Sequence, residues 1–193
     1  LIGDILDMEK IEAGKIDYDV GPVDICELVV DALEANKGYG EQYGVTFNFG
    51  VPSNGANFLV LGDDARLMQV MGNLISNAAK FSPKGADINI YANRHGAMMR
   101  VSATDQGPGI PVKFQSQIFE KFFQADGSST REKGGTGLGL SIYKAIVEHH
   151  NGSVAFDTTV GEGTTFYFDL SIIDQSRPPG TVAIPQKTLH KTI

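Results

Sequence analysis

Residues 66–81, RLMQVMGNLISNAAKF, are the most strongly patterned stretch of the chain, and the rest is read outward from them. Leu67, Val70, Met71, Leu74, Ile75 and Ala78 recur at the spacing of one helical face; Asp63 or Asp64 stands where a cap belongs, and the run must stop before Pro83 and Gly85. The opposite face carries Asn73, Asn77 and Lys80 at i, i+4 and i+7, which stacks two carboxamides and an ammonium. Asparagine is a poor interior helix former because its side chain competes for backbone groups, and a solvated face ordinarily carries Glu, Lys or Arg. A carboxamide oxygen suits a hard divalent cation and an ammonium neutralises phosphate. The face is therefore either a metal–nucleotide surface or an unusually composed solvated one.

Upstream, Leu1, Ile2, Ile5, Leu6 and Met8 have helical spacing with no cap before them, and Gly14 closes the run, as at the end of a longer helix. Residues 15–20 alternate like a short strand. Pro22 then opens a predicted helix with Ile25, Leu28, Val29, Ala32 and Leu33 on one stripe, ending near Gly38 or Gly40. Residues 45–49 and 58–61 read as strands about a polar loop at 52–57. Downstream, 88–93 and 98–104 form an apparent hairpin around His95-Gly96. The glycine-rich span 105–135 has little periodicity, which inside a compact domain argues for a functional loop or lid. A short helix is expected in 114–123, with Phe114, Phe119, Phe122 and Phe123 as the lid's own apolar anchor. Residues 137–150 are helical, 153–158 and 164–172 are strands, and 174–193 read as a linker.

The 193 residues suffice for one domain with tails. Sixteen Lys+Arg against 23 Asp+Glu leave a net charge of −7 with no basic stripe, which disfavours a nucleic-acid surface. Apolar runs fall far short of the about 20 residues that span a bilayer, and no signal segment opens the chain, so a cytoplasmic location without membrane contact is expected. Cys26 has no partner within the chain and reads as a small hydrophobe. Forty-one per cent apolar residues and 23 glycines exclude disorder and collagen and imply special loops.

Two such loops carry chemistry. Asp105-Gln106-Gly107-Pro108-Gly109 puts a carboxylate where a strand meets a loop, able to accept from an exocyclic amine, although an ordinary Asx turn has the same composition. Gly134-Gly135-Thr136-Gly137-Leu138-Gly139-Leu140-Ser141 enters an amphipathic helix, so its free N–H groups form either an anion site or a hinge. Leu140 stands where a Walker loop requires lysine. No Ser-His-Asp, Cys-His or metal-triad spacing is present in the sequence.

In series, 73–81 (NLISNAAKF), 105–110 (DQGPGI), 118–123 (IFEKFF), 135–141 (GTGLGLS) and 161–166 (GEGTTF) resemble the boxes of sensor histidine kinases, over about residues 15–172. Residues 1–15 (LIGDILDMEKIEAGK) resemble the end of that family's dimerisation helix. The resemblance implies an α+β two-layer sandwich of Bergerat type, a mixed, mostly antiparallel sheet against three helices with ATP under a mobile lid. It implies domains at 1–14 (dimerisation helix end), 15–173 (catalytic, ATP-binding) and 174–193 (linker toward a possible receiver domain). It also implies that Asn77 holds Mg²⁺, that Asn73 and Lys80 contact phosphates, and that Phe81 lies beside the nucleotide. Asp105 would hold the adenine amine, Gly107 and Gly109 would shape the pocket with Ile110 beside them, and Thr164 would approach the base. Gly135, Gly137 and Gly139, with Leu138 among them, would bring backbone donors to the phosphates.

Gln106 stands where that family often has asparagine, and none of the four histidines resembles its phosphoacceptor, so the chain is expected to be a catalytic fragment. Its expected partners are a dimerisation domain bearing the phosphoacceptor histidine, a response-regulator receiver domain and, for the parent, a second copy. Two other readings compete: an ATPase clamp of the topoisomerase, mismatch-repair and chaperone type, and a non-catalytic nucleotide-gated module. The clamps place a glutamate one turn before the metal-binding asparagine, where this chain has Asn73, which has no base to offer water.

Overall fold

In a computed structural model the described residues are 2–50, 58–124 and 136–173. The elements are α1 (Ile2–Glu12), β1 (Gly21–Asp24), α2 (Ile25–Tyr43), β2 (Thr46–Gly50), β3 (Leu59–Gly62), α3 (Asp64–Phe81), β4 (Asp87–His95), β5 (Met98–Thr104), α4 (Val112–Gln115), α5 (Gly139–His149), β6 (Ser153–Thr159) and β7 (Gly163–Ser171).

Alternation along the strands makes one buried sheet face: Ile88, Ile90 and Ala92 of β4, Met99, Val101 and Ala103 of β5, and Phe166, Phe168 and Leu170 of β7. The registers Ile90↔Ala103 and Ala103↔Phe166 put these side chains in rows across strands ordered β2-β4-β5-β7-β6. β2 runs parallel to β4 and the other pairs are antiparallel. Helices α2, α3 and α5 cover that face, with α3 between the other two. Every apolar residue on the stripe of α3 is buried, and burying a side chain of that size contributes about 1.5–3 kcal/mol. Tyr143 is fully buried on α5, its hydroxyl donating to Tyr167 O at 2.7 Å. The mixed, mostly antiparallel sheet against three helices is thus the observed architecture.

β1 and β3 form a separate antiparallel ribbon, joined to the main sheet through the Val60–Ile172 bridge. Residues 15–20 form no strand, and Pro22 lies inside β1 rather than opening α2. β1 pairs on one side only, so the N–H that proline lacks is not missed, and Val23 turns inward. Asp24 is the real cap of α2, accepting from Cys26 N (2.8 Å) and Glu27 N (3.3 Å). α2 continues through Gly38 and Gly40 to Tyr43, and stops at Gly44, whose left-handed φ of 67° a side chain would resist. Gly40 is small for packing reasons, since a β-carbon there would meet Val45 O at 3.1 Å and the Phe47 ring at 3.2 Å.

α4 begins at Val112, two residues before the stretch 114–123 within which a short helix is expected, and the chain then proceeds by turns to Phe123. Phe119 does anchor this segment against Tyr143, Phe156 and Phe166, whereas Phe122 is 65% exposed. The expected loop at 52–57, the lid's 125–135 and the linker at 174–193 lie outside the described residues. Among the described residues no helix is long and apolar enough to cross a membrane. Cys26 is half-buried on α2, and burial pushes its thiol up, with Asp24 adding to the effect.

Asp63 caps α3 through Arg66 N (3.0 Å), and its second oxygen accepts from Asp19 N (2.9 Å). Its own N–H donates to His150 Nε2 at 2.9 Å. Asp63→Ala removes a cap and an acceptor for a second peptide group, so it should cost about 2 kcal/mol in urea unfolding, against about 1 kcal/mol for Asp24→Ala. Equal losses would show that the Asp19 bond adds nothing.

Candidate functional site

The site begins where β5 leaves the sheet. Asp105 is 6% exposed, and its Oδ1 accepts from Gly107 N (2.8 Å) and Thr164 N (3.1 Å). Its own N–H donates to Thr164 O at 2.9 Å, so β5 and β7 are locked together at that point. Burial raises the carboxyl's pKa, and the bonds from Gly107 and Thr164 act against that rise.

Three glycines make the approach possible. A β-carbon at Gly107 would lie 2.8 Å from Asp105 Oδ1 and 2.9 Å from Phe81 O, so only glycine lets the end of α3 touch this loop. Gly109, at φ 69°, presses on Thr159 O, and Gly163, at φ 127°, on Asp105 O. Ile110 is buried, with its N–H donating to Thr158 Oγ1 at 2.9 Å. Thr164 is buried beside Asp105, and both line a cavity of about 210 Å³ shared with Thr104, Thr158 and Glu162. On the other side of the loop, Phe81, Ser82, Gln106 and Gly107 border a groove of about 340 Å³.

A second cluster lies along α3. Asn73 and Asn77 are half-buried, and neither carboxamide has a hydrogen-bond partner among the described residues. Asn73 faces the start of α5: a β-carbon at Gly139 would sit 3.0 Å from Asn73 Oδ1. α2 and α3 are capped by aspartates, but Leu138 occupies the cap position of α5 and supplies no side-chain bond. Leu138 N–H donates to Thr136 Oγ1 at 3.2 Å, and among the described residues no side chain takes the first N–H groups of α5 itself. Gly137, at φ 72°, packs on the backbone of Phe122, which itself adopts a positive φ of 59°. Lys80 Nζ lies 5.1 Å from the centre of the Phe81 ring.

The fold thus brings Phe81, Asp105, Gly107, Gly109, Ile110 and Thr164 into one cluster, and Asn73, Leu138 and Gly139 into another. Asn77 stands on α3 one turn from Asn73 and one turn from Phe81. Gly135 lies outside the described residues. Sequence reasoning missed Thr158 and Gly163, and it missed that Gln106 Nε2 donates to Asp87 O at 3.0 Å. Of these, Gly163 had a signal, as a glycine just before a strand. Sequence reasoning also missed the seam at α1, where Asp7 accepts from Gln69 Nε2 (2.9 Å) and Tyr18 stacks on His149 at 3.7 Å.

Among the described residues no three His, Cys, Asp or Glu side chains cluster as a metal site, so a cation here would rely on carboxamide and ligand oxygens.

Residues 62–173 match the family described as histidine kinase-, DNA gyrase B- and HSP90-like ATPases. The chain is 32% identical over 170 residues to the sensor-like histidine kinase SenX3 of Mycolicibacterium smegmatis, covering 88% of this chain and 44% of that protein. It is 35% identical over 193 residues to the circadian input-output histidine kinase CikA of Synechococcus elongatus, covering all of this chain and 24% of that one. The chain therefore spans less than half the length of these relatives. Full-length ShkA in complex with AMPPNP superposes with a TM-score of 0.76 at 28% identity, over 89% of this chain and 35% of that one. The catalytic domain of histidine kinase ThkA gives 0.68 at 26% identity, over 80% and 96%. A sheet covered by three helices, with a buried aspartate at the strand exit and an uncapped helix start, here accompanies a family match over more than half the chain: the protein belongs to the histidine kinase-, DNA gyrase B- and HSP90-like ATPases, and its relatives are sensor histidine kinases.

Proposed function

We propose that the chain is the catalytic domain of a two-component sensor histidine kinase, binding Mg-ATP and passing the γ-phosphoryl group to a histidine on a dimerisation domain. The observation that carries this reading is Asn73, half-buried, without a side-chain partner among the described residues and facing a helix start that no described side chain caps, with Asn77 one turn further along α3. Asp105 accepts from the adenine amine, and Gly107 and Gly109 let the base lie against backbone. The N–H groups around Gly137, Leu138 and Gly139, with Gly135 before them, meet the phosphates together with Asn73 and Lys80. Phe81 flanks the nucleotide. Asn77 supplies an oxygen to Mg²⁺, which when bound neutralises charge on the phosphates. With Asn73 one turn before it and no carboxylate there to activate water, the geometry suits transfer better than hydrolysis. In this reading 1–14 is the end of the dimerisation helix, 15–173 the catalytic domain and 174–193 a linker, in a cytoplasmic, homodimeric parent that serves a receiver domain.

Calorimetric titration with a non-hydrolysable ATP analogue should show saturable binding strengthened by Mg²⁺. Asn77→Ala should abolish the Mg²⁺ increment and leave metal-free binding unchanged. Radiolabel from ATP should appear on an added phosphoacceptor domain and not on the chain itself; label confined to inorganic phosphate would favour the clamp reading.

Asp105 gives a second, opposed pair of effects. Its pKa is raised in the folded state, so between the unfolded and folded values the native protein holds more protons, and stability falls as pH rises through that window. Asp105→Asn should therefore melt higher than wild type at neutral pH without nucleotide, the gap closing toward acid where both side chains are neutral. Its ATP-analogue affinity should fall by about tenfold or more, with or without Mg²⁺. Unchanged affinity would remove Asp105 from base recognition.

A further inference from the structure

Thr158, on β6, belongs to none of the motifs behind the functional reading, yet its hydroxyl joins three parts of the pocket wall. Oγ1 accepts from Ile110 N at 2.9 Å, lies 3.0 Å from Gly163 O and 3.0 Å from Thr164 Oγ1. Thr164 Oγ1 has no other hydrogen-bond partner among the described residues. The Thr164 peptide N–H donates to Asp105 Oδ1, so the two hydroxyls sit beside the carboxylate, in the cavity that all three residues line.

Each hydroxyl has one proton and two lone pairs, so the pair has two self-consistent arrangements. In the first, Thr158 donates to Gly163 O and Thr164 donates to Thr158; nothing is left over, in keeping with the absence of unpaired buried side-chain polar atoms among the described residues. In the second, Thr158 donates to Thr164, and the Thr164 proton turns into the pocket. An adenine whose amine donates to Asp105 presents a lone pair on its neighbouring ring nitrogen N1. Only the second arrangement offers N1 a proton while keeping Thr164 Oγ1 bonded.

Resting on the reading that the pocket takes adenine, we propose that Thr158 is a positioning residue for base recognition: it holds the Thr164 proton while the pocket is empty and gives Thr164 a proton in return when N1 arrives. No covalent bond changes; two O–H groups rotate. The site thereby reads N1 as well as the amine, without leaving a buried donor unpaired in either state.

The test crosses a protein atom with a ligand atom, comparing binding of ATP and 1-deaza-ATP, which lacks only N1, to the 193-residue chain. In wild type, Thr164 turns back to Thr158 when N1 is missing, so the loss should be small, about threefold. In Thr158→Val the Thr164 proton has nowhere to return, and the same deletion should cost about tenfold or more. Thr158→Ser should behave as wild type. Thr164→Val should bind both nucleotides equally, which keeps the test decisive if Thr158→Val does not fold. A purely structural Thr158 would weaken both nucleotides by one factor and leave the N1 increment unchanged, overturning the proposal, as would an N1 increment that persists in Thr164→Val. Failure of wild type to bind ATP would instead overturn the functional reading beneath it.

Discussion

Asp105 Oδ1 accepting the peptide N–H groups of Gly107 and Thr164 is the contact on which the rest of the site depends. It closes a small ring of backbone at the end of the sheet, where the exit of β5, the entry of β7 and the end of α3 meet without side chains between them. Gly107 against Phe81 O and Gly163 against Asp105 O are parts of the same construction, because an aspartate reaches both N–H groups only if those backbones nearly touch. Desolvation raises the Asp105 pKa and these two bonds oppose the rise without cancelling it, so ionising the carboxyl costs more in the folded protein than in the unfolded chain. Such a cost persists where a ligand's donors will offset it.

The helix ends show the same division between stability and use. Asp24 and Asp63 close α2 and α3 with short hydrogen bonds, and Asp63 is further tied to Asp19 and His150. α5 starts at Gly139 with Leu138 buried before it and no cap. A capping aspartate there would satisfy the helix and repel an anion. On α3 the carboxamides of Asn73 and Asn77 forgo helix propensity, and the loss is borne by a stripe of residues almost wholly withdrawn from water.

How much of this was legible depended on how local the signal was. The α3 stripe, the β4–β5 hairpin and the alternation of β7 are short-range patterns, and they appear where the sequence put them. Pro22 misled because its preference for a first helical turn is also met by a strand with one free edge, and the choice was made by Asp24 two residues later. Gly38 and Gly40 misled because glycine marks both helix ends and close packing; Phe47, distant from α2 in pairing terms, decided the second. Asp105 and the asparagines were readable as unusual residues at telling places. Thr158 was not, since its role exists only through Ile110, Gly163 and Thr164, which the fold brings to it.

α3 also explains why the site and the N-terminal helix are parts of one mechanical unit. At its start, Arg66 and Gln69 meet Asp7 of α1, and the Asp63 cap is bonded to the segment that follows α1. At its end, Phe81 lies against Gly107, and between them stand Asn73 and Asn77. α1 reaches α5 as well, where buried Met8 lies beside Ser141, one turn after the uncapped start. A packed helix shifts as a body because its interior has no slack. α1 therefore touches both elements that carry the Asn73, Leu138 and Gly139 cluster, α3 through Asp7 and α5 through Met8, by way of packed elements rather than loops.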